Sequence, residues 1–570
     1  MFRWLVRTLL KNLAMRDARR KAAEFEAATH RPRQLQDEIR QRIIAAQRET
    51  QFGREHRFSE IHTLADFRRN LPISTYEDYE PYIKRMRGGR LDALVSDKKI
   101  HMFAMTSGTT ASRKYIPVTP QYLADYRRGW TVWGMNVVNQ YGPKVFRGIL
   151  QFISDHEEFC TESGIPCGSV TGLTAQMQKL VVRWMYVMPP VTAKIKDVNA
   201  KYYTALRLSL CRDLKMITAA NPSTLVNFAK FMDQEKERLI RDLHDGTLSW
   251  DFDVPQLVRD GIRRKLGRQV RRARELEAIV ARTGSLYPKD AWPSLMLLGN
   301  WMGGNVGTYM RHYPKYYGSL PVRDPGLIAS EGRMSIPLAD GTPSGVLDVS
   351  SHFFEFIPQD EINSPQPTVL QAHELQEGRE YFILLTTSYG LYRYNIYDVV
   401  RVTGFHNQTP LIEFLNKGAS FSILTGEKLS EFQVVHAVQK ALSELNESLT
   451  SFSLAPCWDN EDPYYGLFVE RGDFTQPDEA IGLAEAVDRH LRRLNIEYDA
   501  KRDSRRLGSV RALLMPRGAW NHWDRQRLQR TGGTAEQYKH PCLIPDPNFR
   551  QQVPVECELA PDQYSEAKQG

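Results

Sequence analysis

The 570-residue sequence predicts an α/β protein, α+β over its whole length. We expect a large N-terminal domain over residues 1–423, its mixed and parallel sheets flanked by helices. A small, mobile α+β domain should follow over 424–570. Three observations lead there. Leu295-Met296-Leu297-Leu298 reads as a buried strand that ends at Gly299, and the glycine turn Gly303-Gly304-Asn305-Val306-Gly307 then leads toward helical sequence. That order belongs to parallel, doubly wound sheets. Residues 345–405 alternate like antiparallel strands, giving a β-rich subdomain over about 340–423. Beyond Leu424, helical and strand patterns mix within a separate stretch. The length fits this division, because one hydrophobic core does not extend over so long a chain.

The elements follow in chain order. Met1–Met15 interleaves Arg3, Arg7 and Lys11 with apolar residues at helical spacing. It reads either as a basic amphipathic helix touching a membrane surface or as a helix packed on its own domain. A signal peptide would keep its apolar region free of charge. No apolar run is long enough to span a bilayer. Residues 16–95 are polar and helical. Ser74 or Thr75 supplies an N-cap ahead of Glu77 and Asp78.

Ile100–Met105 is apolar enough for a buried strand, and Tyr115–Val118 reads as a second extended piece. Between them lies Thr106-Ser107-Gly108-Thr109-Thr110-Ala111-Ser112-Arg113-Lys114. Pro120–Tyr141 should be a helix whose Tyr122, Tyr126, Trp130 and Trp133 line an apolar pocket or fill the core. Gly148–Ile153 is strand-like, and Gly164–Gly172 is a loop or hairpin. Helices should fill 173–280, one of them starting at Asn221-Pro222. Arg263–Arg274 reads as part of one helix with a solvated basic face, since apolar residues recur at 262, 266, 270 and 273. No aromatic residue interleaves with those charges, so no nucleic acid is expected as a partner despite the net charge of +9.

Leu327–Gly332 reads as a strand end carrying an exposed carboxylate, Glu331. Strands are expected at 345–349, 353–357, 381–387 and 399–403, with Asp398 at the start of the last. Leu424–Glu431 should be an exposed turn opening a helix over 430–446. Strands 451–456, 464–470 and 510–515 and a helix over 477–494 complete the small domain. Gly532-Gly533 leads to Gln537-Tyr538-Lys539, and the polar tail after Pro547 should be mobile. The six cysteines form no C-x-x-C motif, which speaks against a zinc cage or a disulfide framework and for a reducing, cytoplasmic setting.

The hydroxyl run carries the first chemical signal. Its hydroxyls and amides can donate to phosphate oxygens, Gly108 lets a ligand approach the backbone, and Lys114 adds charge. The alternative is a Ser/Thr-rich surface turn. A Walker loop is excluded, since its second glycine and following helix are missing. Glu331, beside such a phosphate site, is placed to hold Mg²⁺, which shares its oxygen ligands with phosphates; otherwise it is a surface glutamate. Asp398 follows alternating aromatics and suits a ribose diol, or it is a turn carboxylate.

In this order and spacing the motifs resemble the Gretchen Hagen family of acyl acid amido synthetases, a branch of the adenylate-forming (firefly luciferase-like) superfamily. The resemblance extends from about residue 60 to about 545. Thr106–Lys114 stands at the family's first ATP motif, with Ala111 in place of glycine and Arg113 in place of proline. Ile328-Ala329-Ser330-Glu331 stands at the second, where Leu327 replaces a tyrosine. Tyr392-Arg393-Tyr394-Asn395-Ile396-Tyr397-Asp398 stands at the third, with Tyr397 at a position usually held by glycine. Val402–Asn407 and Gln537-Tyr538-Lys539 also resemble family segments.

The resemblance implies that a carboxylic acid is adenylated by ATP and its acyl group passed to an amino acid, releasing AMP and pyrophosphate. It assigns Thr106, Ser107, Gly108, Thr109, Thr110, Lys114 and Ser330 to the nucleotide, Glu331 to Mg²⁺ and Asp398 to the ribose. Lys428 and Lys539 become catalytic lysines brought in by the small domain. A monomer is expected. Two alternatives stay open: a thiol acceptor such as coenzyme A, and a non-catalytic scaffold built on a nucleotide fold.

Overall fold

A computed structural model describes residues 2–107, 113–303, 310–362, 364, 366–416, 418, 421–460, 462–531 and 540–561. The chain divides into two compact units. One holds most of the chain through Leu415, and the other holds Asn416 onward. No helix among the described residues is long and apolar enough to cross a membrane.

In the larger unit, helix Phe2–Thr29 packs along helix Pro120–Tyr141, and its Phe25 joins a core with Val132 and Trp133. Helix Pro32–Gln47 has proline in its first turn, where a missing N–H costs nothing, and buries Ile39, Ile43 and Ile44. Its Gln36 amide donates to Val349 O at 2.8 Å and His352 O at 2.7 Å, and accepts from Phe354 N at 2.8 Å. A single side chain thus clamps the helix onto the adjoining strand. Of the two N-cap candidates the cap is Thr75, which forms a capping box with Asp78.

Three sheets organise this unit. Ile149–Gln151, Met216–Thr218, Leu297–Gly299 and Val322–Arg323 form a wholly parallel sheet in that spatial order. The parallel sheet is as expected, but its strands follow chain order without the reversal of a doubly wound sheet, and Met216–Thr218 interrupts the stretch read as all helical. At three residues it is too short to carry a periodicity that stands out. Met102–Ser107 lies between Arg113–Val118 and Pro166–Gly168 in a second, four-stranded sheet. The third sheet has seven strands, in the order Ser335–Ile336, Gly345–Leu347, Thr409–Asn416, Tyr394–His406, Glu380–Thr386, Phe353–Pro358 and Leu370–Gln371.

The basic tract departs from expectation. It is not one helix: Gln256–Ile262 ends in a short 3₁₀ turn, and a new helix starts at Val270. Between them Gln269 N donates to Leu243 O at 2.7 Å, so tertiary contacts take up the backbone where Gly267 weakens the helix.

The smaller unit is a four-stranded sheet, Phe452–Asp459, Asp462–Glu470, Arg511–Met515 and Cys557–Leu559. Its first three strands are buried on both faces. Leu454, Leu467 and Val469 meet helices Glu431–Leu445 and Pro477–Leu494, while Ala455, Phe468 and Leu513 meet Trp520 and Phe549. Two expectations are corrected here. The tail beyond Pro547 is anchored as far as residue 561: Phe549 is buried and Cys557–Leu559 pairs antiparallel with the third strand. The Leu424–Glu431 turn is buried rather than exposed. The Glu427 carboxylate accepts from Leu424 N, Thr425 N, the Thr425 hydroxyl and the Tyr465 hydroxyl at 2.5–2.8 Å, and this lets the turn leave water.

Candidate active site

The first motif joins two neighbouring strands, as expected of a turn between extended segments. Gly108, Thr109 and Thr110 lie outside the described residues, as do the side chains of Thr106, Ser107 and Arg113. Lys114 is described. Its Nζ lies 3.4 Å from the Tyr394 hydroxyl and 5.4 Å from the centre of the Tyr76 ring. The next residue, Tyr115, donates its backbone N–H to the Tyr76 hydroxyl at 2.8 Å and fixes the strand against helix Tyr76–Arg87.

The second motif is a tight hairpin rather than a strand end. Ile328–Ala329 pairs antiparallel with Gly332–Arg333, and Ser330 and Glu331 form the turn. Glu331 is 6% exposed, not a surface carboxylate. The Tyr389 hydroxyl donates to its backbone oxygen at 2.9 Å and draws the turn inward. Burial lifts the hydroxyl pKa values of Tyr122, Tyr389 and Tyr394 well above the ordinary tyrosine value, and the Glu331 charge adds to this. Gly332 is required by space: a Cβ there would lie 2.8 Å from His352 Nε2 and 3.0 Å from the Tyr389 hydroxyl. Burial pushes the His352 imidazole down to about 4, so it stays neutral.

The third motif opens on two buried tyrosines. Tyr392 stacks on Phe52, and its backbone N–H and C=O both bond to the Tyr79 hydroxyl, at 3.0 and 2.5 Å. Arg393 is structural. Its guanidinium pairs with buried Glu355 at 2.8 Å and donates to Leu71 O at 2.8 Å, while Arg68 approaches the same carboxylate at 2.9 Å.

Asp398 is not at a strand start. It lies inside the long strand Tyr394–His406, as the last residue of a bulge. Leu384 pairs with Asn395 and Phe382 with Val399, so Ile396, Tyr397 and Asp398 all stand against Ile383. Tyr397 has φ +63° and holds the bulge through its N–H to Asn395 Oδ1 at 2.8 Å. A left-handed backbone angle suits glycine, which gives a physical reason for glycine at this place in the resembling motif. Sequence reasoning weighed Tyr397 for its bulk alone and missed the bulge, since no pairing register is visible before a partner strand is known. Asp398 is 3% exposed.

In the smaller unit Lys428 follows buried Glu427 with φ +47°. Lys539 lies outside the described residues. Lys501 went unnoticed in the sequence. Burial first, and the nearby Arg506 charge second, push its ammonium pKa down to about 8, with Lys428 contributing in the same direction. It is an ordinary helix lysine in sequence, and only the fold brings it beside Lys428.

The large unit therefore gathers one residue from each motif, Lys114, Glu331 and Tyr394, around a set of buried tyrosine hydroxyls. A cation beside a carboxylate and several donors suits a phosphate ester and its counterion. Among the described residues no group of three or more His, Cys, Asp or Glu side chains converges as a metal cage. A single carboxylate such as Glu331 fits Mg²⁺ only in the manner of nucleotide sites, where phosphates and water complete the shell.

Models of known protein families match the chain along most of its length. Residues 21–322 match the model of the GH3 family N-terminal domain, 345–417 the GH3 family central domain, and 432–548 the GH3 family C-terminal domain. The chain is 24% identical over 543 residues to jasmonoyl–L-amino acid synthetase JAR4 of Nicotiana attenuata, covering 92% of this chain and 93% of the relative. It is 25% identical over 447 residues to indole-3-acetic acid-amido synthetase GH3.2 of Arabidopsis thaliana, covering 74% and 80%. The solved structure of the GH3.15 acyl acid amido synthetase superposes with a TM-score of 0.65 at 21% identity, over 95% of this chain and 97% of that one.

Proposed function

This chain belongs to the GH3 family, and from that membership we infer that it is an ATP-dependent acyl acid amido synthetase, joining a carboxylic acid to an amino acid. The observation that carries the reading is the match to all three family domains in order, along nearly the whole chain. Relatives named for jasmonoyl–amino acid and indole-3-acetic acid–amido synthesis support it.

In the first step an acid carboxylate attacks the α-phosphorus of ATP, and pyrophosphate leaves. In the second an amine displaces AMP from the acyl carbon. Charge repulsion dominates the first barrier, so cations and donors around the phosphates are what the protein must supply. We assign that work to Lys114 with the loop Thr106–Thr110, and the ribose to Asp398. Ser330 lies beside Glu331 in the hairpin turn and joins the nucleotide side of the site. Glu331 would hold Mg²⁺, which offsets phosphate charge when bound. Lys428 and Lys539 act from the smaller domain, and a lysine that engages only in the committed state lowers the barrier most effectively. We carry a cytoplasmic setting as part of the same reading.

Pyrophosphate release across a panel of carboxylic acids, with and without amino acids, tests the reading. Acid-dependent release, with amide formed only when an amino acid is present, is expected. Failure to bind ATP in calorimetry would return the scaffold reading, and thioester formation with coenzyme A would replace the acceptor.

A further inference from the structure

Arg333, two residues beyond Glu331, lies against helix Pro120–Tyr141 and is 2% exposed. Its stem passes so close to Gly129 that a Cβ there would fall 2.3 Å from Arg333 Cδ. Its guanidinium carbon sits 4.7 Å from the centre of the Trp130 ring. Nη1 donates to Pro325 O at 2.6 Å and Ser335 O at 3.3 Å. Nε and Nη2 are buried with no hydrogen-bond partner among the described residues. The nearby Asp324 is engaged elsewhere, accepting from Met302 N and Gly326 N, both at 2.6 Å.

Those two nitrogens form one edge of the guanidinium, with parallel N–H bonds spaced for the two oxygens of a carboxylate. A buried charge that leaves two donors unmatched is costly for the fold itself. Tyr126 and Trp130 beside it are only partly buried, so the apolar side of this corner is not sealed. Tyr122 feels the charges of both Glu331 and Arg333, whereas Trp130 lies just over two helical turns further along, about 12 Å. The guanidinium is therefore set back from the nucleotide side of the site.

We propose that Arg333 receives, through its Nε–Nη2 edge, a substrate carboxylate that does not undergo adenylation. This rests on the amido synthetase reading and names what that site selects. Two substrates could present such a group: an acyl acid with a second carboxylate on its tail, or the amino acid acceptor with its own α-carboxylate.

Two arms separate these sources. Pyrophosphate release is measured for dicarboxylic acids against their monomethyl esters. Amide formation is measured for amino acids against amino acid amides at saturating acid. Calorimetric binding of the same ligands is read in parallel. In one arm the protein should prefer the charged ligand by about tenfold or more in kcat/KM and in affinity. Arg333→Met keeps the stem and removes the donors. It should erase that preference while leaving the neutral ligand within about twofold. Gly129→Ala, which displaces the same guanidinium without removing its charge, should do likewise if Arg333→Met does not fold. Equal binding of charged and neutral ligands in both arms would overturn the role of Arg333, as would a preference that survives in a folded variant. A protein that binds the charged ligands selectively yet releases no pyrophosphate with any acid would overturn the amido synthetase reading alone.

Discussion

Arg393 and Arg333 have nearly the same burial, 5% and 2% exposed, and opposite surroundings. Arg393 has a carboxylate and backbone carbonyls around it, and it ties the third motif to helix Leu64–Asn70 through Glu355 and Leu71. Arg333 has carbonyls on one nitrogen and an unmatched edge on the others. The first arrangement is complete without substrate; the second is not. Buried charge alone therefore does not mark function. Under the proposal, what separates the two is an open two-nitrogen edge, Nε with Nη2, that a carboxylate can complete.

The comparison is broken most directly by removing Glu355. Glu355→Ala leaves Arg393 buried and unpaired, which should cost about 3–5 kcal/mol and lower the melting temperature by several degrees. Arg333→Met removes a charge that the fold does not pair, so its stability should change far less. Comparable melting losses in the two variants would erase the distinction between them.

A third buried ionisable group, His352, shows another solution: it remains neutral. With a folded pKa of about 4 against an unfolded value near 6.5, its contribution is fully present above the unfolded value. Below that the unfolded chain binds the proton first, and stability falls as pH drops toward 4. The span corresponds to about 3 kcal/mol. Urea midpoints between pH 7 and 4.5 should show this decline, and His352→Gln should flatten it. An unchanged slope in that variant would assign the acid sensitivity to other groups.

Much of this was legible in the sequence, for reasons that differ by element. Helix Pro120–Tyr141 was legible end to end, and the structure adds its Thr119 cap and the Gly142 stop. The third motif was visible as a pattern of aromatics, but the bulge that makes sense of it was not, because three residues standing against one is a property of two strands. Glu331 was found by its neighbours in sequence, yet taken to be exposed. Its burial comes from Tyr389, far along the chain. Arg333 passed unnoticed beside it, since nothing local distinguishes an arginine whose edge will be left open.

Asp398 sharpens the comparison from the acid side. If it accepts a ribose diol, hydrogen bonds to a charged group contribute about 1.5–3 kcal/mol each, and Asp398→Ala should weaken ATP by about tenfold or more. Asp398→Asn keeps one acceptor oxygen and should lose less. Unchanged affinity in a folded Asp398→Ala protein would remove the ribose role.

The smallest effect is expected next to it, at Tyr397, where two terms oppose each other. A non-glycine residue at φ +63° carries a backbone cost of about 1–2 kcal/mol, which Tyr397→Gly would relieve. The ring packs against a small cluster of Ile357, Phe382, Leu384 and Val399, and it is only half buried. Losing half of an aromatic side chain's burial costs about 1–1.5 kcal/mol. The terms nearly cancel, so Tyr397→Gly should melt close to the parent and keep or improve its affinity for ATP. Tyr397→Ala separates them, because it loses the ring and retains a Cβ at the same backbone angle. It should be less stable than Tyr397→Gly by about 1 kcal/mol. If alanine and glycine melt alike, the backbone at the bulge is not strained, and the glycine found in the resembling motif needs another cause.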